Sequence, residues 1–395
     1  MDQLLSYFLI LGAVTALFSL RCWRFVDDAA AEGGSRVGSL DGIRGYLALS
    51  VMLHHAVIAR HWMQTGVWLP PANPFYPLLG SVAVSLFFMI TGYLFWGKLV
   101  AKGGRLNWTA LYIGRLFRIA PVYGLAIVCM LFVVTVRSGW ALHEPAMAVL
   151  REVLHWFGLG LLPGLDVNQV PQTALILAGV VWTLSYEWKF YFALLPLSVV
   201  AQGRWHLVVA ALLLCASIVG TIIASHGIWH FTVLFAVGMM TASLREAGLR
   251  FRVAEWLLSA LALIALAGPW IVHTGPYSIG QSLPLAVFFF LVCNGAAMFG
   301  LFNARPAVRL GHVSYSIYLL HGFVFSVGFD NALMRNMLVS GNVLYFWLIT
   351  GGGALVLCIV ASIVYATIER PCIEYGRSVG SRMTFRTGLQ VAASS

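Results

Sequence analysis

Charge is what this chain is short of. Only 10% of its 395 residues are charged, and 14 are acidic. Soluble domains carry about 25% charge, so a soluble globular class is excluded. The six cysteines, Cys22, Cys129, Cys215, Cys293, Cys358 and Cys372, form no CxxC pair and show no metal-ligand spacing. That removes a disulfide framework, a redox motif and a metal site from the expectations; the cysteines read as core thiols. The first apolar run, 4–20, has no basic stretch before it and no small-residue cleavage site after it. Arg21 and Arg24 follow instead, which points to a retained helix rather than a signal peptide. No internal repeat is visible and no soluble domain follows the last apolar run. The repeated halves of many secondary transporters are therefore missing.

Apolar length is what the chain has in excess: 60% of residues are hydrophobic and the mean hydropathy is +0.87. Runs long enough to cross a bilayer fall near 3–20, 43–60, 78–97, 110–135, 173–200, 206–224, 229–244, 254–272, 282–302, 312–328 and 343–367. The expected fold class is all-α, a polytopic integral membrane protein of about eleven transmembrane helices. An extra N-terminal helix and cytoplasmic linker occupy 1–37, a membrane domain 38–377, and a flexible cytoplasmic tail 378–395.

With the N-terminus outside, nineteen of the 24 basic residues fall on inner segments and four on outer ones, Lys189 lying within the fifth run. This bias sets the N-terminus outside and the C-terminus inside, which needs an odd number of helices. A cytoplasmic (inner) membrane location follows. The net charge of +10 then reflects membrane lipids facing the inner loops, not nucleic acid. The outer loop at 137–172 is the longest connection, holding Glu144, Glu152, His155 and Asp166; its fragment VLREVLHWFGLGLL has the pattern of an amphipathic surface helix.

The stretch 40–55, LDGIRGYLALSVMLHH, concentrates polar chemistry in an apolar setting. Arg44 and His55 are eleven residues apart, three helical turns plus about 20°, so they share a face with ~16.5 Å of rise between them. That puts His55 near mid-depth if Arg44 sits at the edge. His54 points about 80° away. Ionisable groups at such depth are functional candidates, against the alternative of a histidine packed on a neighbouring helix.

Four further stretches stand out. In WTLSYEWKFY, Glu187 is read as the only acidic residue deep in a span, with Tyr191 one turn on; it either serves a site or pairs structurally with Lys189 or an arginine. In LGHVSYSIYLLH, Ser314, Tyr318 and His321 share one helical face, lining a cavity or bonding a neighbouring helix. Arg115 and Arg118 project together at an inner helix mouth and suit phosphate, either a ligand's or a lipid's. In FFMITGY, Thr91 and Gly92 permit close helix approach.

These motifs, with IERP at Ile368, occur in the order seen in membrane-bound acyltransferase family 3, the acetylases of O-antigen, exopolysaccharide, Nod factor and related glycans. The resemblance covers 38–375. It implies a ten-helix acyltransferase core behind one extra helix. It places the family's arginine and histidine on Arg44 and His55, its arginine pair on Arg115 and Arg118, and its intramembrane glutamate on Glu187. It also implies an acyl-CoA donor, usually acetyl-CoA, and a glycan hydroxyl as acceptor. Thr91 stands where serine is common, and Lys189 where a neutral residue is expected.

The expected activity is thus O-acyl transfer from cytoplasmic acetyl-CoA to an extracytoplasmic or lipid-linked glycan. Imidazole has a reference pKa of about 6.5 and is largely neutral at pH 7, so His55 is the candidate general base, with Arg44 and Glu187 completing the catalytic set. Arg44, Arg115 and Arg118 are expected to hold the donor. Asp41, Tyr191, Ser314, Tyr318 and His321 are expected near the acceptor. The competing reading is a secondary transporter of a sugar or lipid-linked precursor.

Overall fold

The computed structural model describes residues 2–27, 38–72, 75–224, 227–329, 332–339 and 342–393, leaving aside the side chains of 2, 3 and 384–393. The helices are α1 (Asp2–Ser19), α2 (Gly38–Thr65), α3 (Phe75–Ala101), α4 (Trp108–Arg137), α5 (Ala146–Trp156), α6 (Trp182–Val200), α7 (Trp205–Ile223), α8 (Trp229–Glu246), α9 (Glu255–Ile271), α10 (Ile279–Cys293), α11 (Arg305–His312), α12 (Ser314–Ser326), α13 (Ala332–Val339), α14 (Val343–Val364) and α15 (Arg370–Ala393). A π-helical turn, Tyr365–Glu369, joins the last two. Among the described residues there is no strand, only an isolated bridge between Val167 and Val170.

Five helical stretches among the described residues are long and apolar enough to cross a membrane: Gly38–Thr65, Phe75–Ala101, Trp108–Arg137, Trp205–Ile223 and Val343–Met383. Three shorter apolar helices accompany them, Leu4–Ser19, Glu255–Ile271 and Ile279–Cys293. The all-helical, multi-pass class stands. Three of the eleven apolar runs are interrupted or shortened.

The fifth run, expected from 173, becomes helical only at Trp182; before it lies a 3-10 turn, Thr173–Leu177, flanked by left-handed Gln172 and Ala178. The ninth ends at Cys293 instead of 302, where Gly295, Met298, Phe299 and Gly300 take positive φ. The tenth is interrupted at Val313, so Ser314 opens α12. In the outer loop, α5 realises the first part of the expected surface helix and stops before Phe157. The stretch from 378 continues α15 as helical backbone. The linker over 28–37, including Arg36, lies outside the described residues.

Contacts divide the chain into two compact units. The first comprises Met1–Gly104, Lys189–Ser314 and Asn336–Leu355; the second comprises Arg105–Trp188, Tyr315–Arg335 and Val356–Ser395.

In the first unit, glycine sets how closely helices approach. A Cβ on Gly42 would overlap the Phe302 carbonyl, and one on Gly311 the Asp41 carbonyl. The LDGIRG and LGHVS motifs therefore meet backbone to backbone. Gly92 of α3 lies likewise on the Phe235 carbonyl and Gly238 of α8 on the Met89 carbonyl, so close packing accounts for the FFMITGY motif. Helix α1 backs α2: Tyr7 Oη lies 2.9 Å from Ser50 Oγ and Thr15 Oγ1 3.2 Å from Tyr46 Oη. Tyr46 is nine residues before His55, half a helical rotation away, so α1 covers the face opposite the imidazole. Buried Arg309 fixes the end of this arrangement. Its Nε and Nη2 donate to Asp27 at 2.6 and 2.8 Å, and its Nη1 to the Phe18 and Leu20 carbonyls at 2.9 and 3.2 Å.

In the second unit, α15 lies on α4, with Gly376 against the Phe117 ring and Gly380 against Ala110. The loop after α4 is a fixed structure. Tyr123 Oη donates to the Trp156 carbonyl at 2.5 Å, Trp156 Nε1 to the Leu165 carbonyl at 2.8 Å, and the Asn168 N–H to Glu152 at 3.0 Å.

Candidate functional site

Helix α2 carries the first group of candidates, all within the first unit. Its backbone is held by the glycine contacts above, so its remaining face is free of the requirement to be small. Arg44 lies 3.8 Å from Asp41, one turn earlier; their side chains are 25% and 21% exposed, so the pair is neither sealed nor fully solvated. His55 is half-buried. The two histidines diverge as the helical wheel requires. His54 Nδ1 meets the Tyr76 carbonyl at 2.7 Å and its ring lies on Gly80, whereas His55 faces the Trp68 ring at 6.3 Å between centroids. His54 is thus a packing histidine, and His55 the one presented along the Arg44 face.

Two other candidates of this unit are enclosed. Tyr191 is 2% exposed and packs on Phe95, 4.8 Å between centroids. Ser314 is 1% exposed, and its hydroxyl has no hydrogen-bond partner among the described residues. Lys189, the nearby cation suggested for Glu187, is exposed.

The second unit holds Arg115, Arg118, Glu187, Tyr318 and His321. The dominant feature there is an acid the sequence reading passed over. Glu369 is completely buried, whereas Glu187, read as the only deep carboxylate, is half-buried. Glu369 closes the π-helical turn and lies two residues beyond the expected end of the last run. Arg118 Nη1 lies 2.6 Å from its Oε1, Ser316 Oγ donates to its Oε2 at 2.6 Å, and the Arg118 guanidinium lies over the Tyr315 ring at 5.7 Å. Burying a lone carboxylate is prohibitive, and the arginine and the serine hydroxyl are the partners that compensate Glu369 there. The signal for it was present in IERP, but hydropathy alone placed it outside the membrane. Arg118 therefore serves a buried carboxylate. Arg115, one turn before it, is half-buried.

Tyr318 and His321 are both enclosed. Tyr318 Oη lies 2.9 Å from Thr183 Oγ1 and donates to the Val180 carbonyl at 3.3 Å. His321 is fully buried, with Nδ1 3.3 Å from the Ile317 carbonyl. The Tyr318 and His321 rings, one turn apart on α12, lie 6.1 Å between centroids. Among the described residues no group of three or more His, Cys, Asp or Glu is arranged to hold a metal ion.

Comparison with known proteins places these motifs in a wider set. A family model described as an acyltransferase domain matches residues 37–365. The chain is similar to Acyltransferase MdmB of Streptomyces mycarofaciens, 26% identical, the match covering 86% of this chain and 92% of that protein. It is similar to the Exopolysaccharide production protein ExoZ of Rhizobium meliloti (strain 1021), 27% identical over 76% of this chain and 92% of that one. It also matches the Putative peptidoglycan O-acetyltransferase YrhL of Bacillus subtilis (strain 168), 22% identical over 88% of this chain but 57% of that longer protein. No solved structure matches significantly.

Proposed function

Because the chain belongs to this acyltransferase family, we propose that it moves an acyl group, acetyl foremost, from cytoplasmic acyl-CoA to a hydroxyl of a glycan outside or within the membrane. The observation that carries the reading is the Arg44–His55 face of α2, with the imidazole half-buried and His54 already used elsewhere. The names of two relatives, an exopolysaccharide production protein and a peptidoglycan O-acetyltransferase, support a glycan acceptor. The positive-inside bias supports an odd number of crossings with the N-terminus outside and the C-terminus cytoplasmic.

In this reading the neutral His55 ring takes the proton of the attacking sugar hydroxyl. The oxygen adds to the thioester carbonyl. The tetrahedral species then expels the CoA thiolate, which recovers the proton from the imidazolium. Arg44 faces the anionic parts of the donor, steadied by Asp41. In the second unit Arg115 is the arginine suited to phosphate. Arg118 positions it through their common helix, and Glu187 balances charge on α6.

The test uses inside-out membrane vesicles carrying the full chain and acetyl-labelled acetyl-CoA. The expected result is free CoA and label in the glycan with wild type, and neither with His55→Ala at equal protein level. Near-normal labelling in that variant would remove His55 from the mechanism. Movement of a glycan precursor without thioester consumption would make the protein a transporter.

A further inference from the structure

The α2 face that carries Arg44 and His55 does not end at the imidazole. Trp62 follows seven residues on, two turns less about 20°, so it lies on the same face. After Thr65 the chain reverses at Gly66, whose φ is +76° and whose N–H donates to the Trp62 carbonyl at 2.7 Å. Glycine makes this left-handed turn without strain. The Val67 N–H donates to Thr65 Oγ1 at 3.2 Å and closes the reversal.

The turn folds Trp68 back along the helix. Its ring lies within 20° of parallel to the His55 imidazole, 6.3 Å between centroids, and edge-on to Trp62 at 6.0 Å and 72°. Both indoles remain half-buried. Trp96 is the contrast: it is wholly enclosed, and its Nε1 donates to Ser243 at 2.8 Å. Trp62 and Trp68 are a steeply angled aromatic corner beside the proposed base.

We propose that Trp62 and Trp68 form a subsite that seats a pyranose ring of the acceptor next to His55. The proposal rests on the acyl-transfer reading and names what that reading left open, the residues that select a sugar. A pyranose has a face of C–H bonds and a rim of hydroxyls. An indole offers a broad, rigid, electron-rich face that attracts C–H dipoles and leaves the rim accessible. Two indoles inclined at 72° hold such a ring by its face and its edge together. Catalysis needs the hydroxyl held at about 3–3.5 Å from the thioester carbon. Without a seated sugar, the same base activates water, and the thioester is hydrolysed to the free acid and CoA. The corner therefore decides between transfer and hydrolysis.

The test uses membranes containing the full chain, labelled acetyl-CoA, and unacetylated glycan extracted from a deletion strain. Trp62→Ala and Trp68→Ala are expected to raise KM for the glycan by about tenfold or more. KM for the donor is expected to stay within about twofold of wild type, and transfer to the glycan to fall more than glycan-free thioester hydrolysis does. Trp68→Phe is expected to restore most of the glycan affinity. Trp68→Leu, apolar but without a π-face, is expected to behave like the alanine variant; it also serves if alanine prevents folding. An unchanged glycan KM, or an equal fall in transfer and hydrolysis, would make Trp68 a brace for His55 and overturn the subsite. If wild-type membranes consume no thioester at all, the acyl-transfer reading itself is what has failed.

Discussion

Arg118 Nη1 lies 2.6 Å from Glu369 Oε1, and the carboxylate has no exposed surface. One residue comes from α4, the other from the π turn after α14, so the pair joins two helices that the chain makes far apart. Removing one partner strands the other's charge, which in buried pairs costs about 3–5 kcal/mol. Glu369→Ala is therefore expected to lower the melting temperature in detergent sharply. Replacing both, as Arg118→Met with Glu369→Leu, is expected to recover most of that loss. Thermal unfolding followed by size-exclusion fluorescence reads both, and a double variant no better than the single one would contradict the pairing argument.

The adjacent histidines are expected to separate by phenotype. His55→Gln is expected to lose about 10²–10⁴ in acyl transfer with little change in stability, as removal of a general base does. His54→Ala leaves the Tyr76 carbonyl without its partner at 2.7 Å and opens space against Gly80. It is expected to melt earlier while keeping its turnover per folded molecule. Turnover normalised to folded protein distinguishes the two, and equal loss in both would show that the helix, not one ring, had been disturbed.

The glycine contacts of the first unit predict low tolerance to a single methyl group. Gly42→Ala and Gly311→Ala each push a carbon into a backbone carbonyl that cannot rotate away. Overpacking of this kind costs about 1–3 kcal/mol or more. Gly114→Ala, where the added carbon meets open space, is the control expected to be neutral. Comparing expression and melting across the three checks the prediction.

Acid is expected to loosen the attachment of the N-terminal helix. The hydrogen bonds and charge of Arg309 hold the Asp27 carboxyl below its ordinary value. A depressed folded-state value means the stabilisation is complete above the unfolded value near 4 and is lost as pH falls through the folded one. Wild type is expected to melt higher than Asp27→Asn at pH 7, and the difference to shrink as pH falls below about 4. A constant difference from pH 7 to 3 would rule out the ion pair as its source.

The apolar runs were legible because lipid demands continuous hydropathy, and every long span observed begins as one of them. The Arg44–His55 face was legible because both sit on one unbroken helix, where spacing alone fixes direction. Breaks were not legible. The apolar runs extend straight through Val313 and through 294–300, where the backbone leaves helical torsion. Glu369 was missed for a related reason: its burial depends on Arg118 and Ser316, which no local pattern reveals. Trp68 was missed because a single glycine turn, read as loop, returns it to the helix.

The interlock of Gly42 with Phe302, and of Asp41 with Gly311, also bears on how the protein is made. Synthesis runs from the N-terminus at about 5–20 residues per second, so α2 leaves the ribosome roughly 13–50 s before its seat exists. During that interval the helix with the reactive imidazole must wait in the lipid or the insertion machinery with its glycine groove empty. Any chain released before residue 311 lacks that seat.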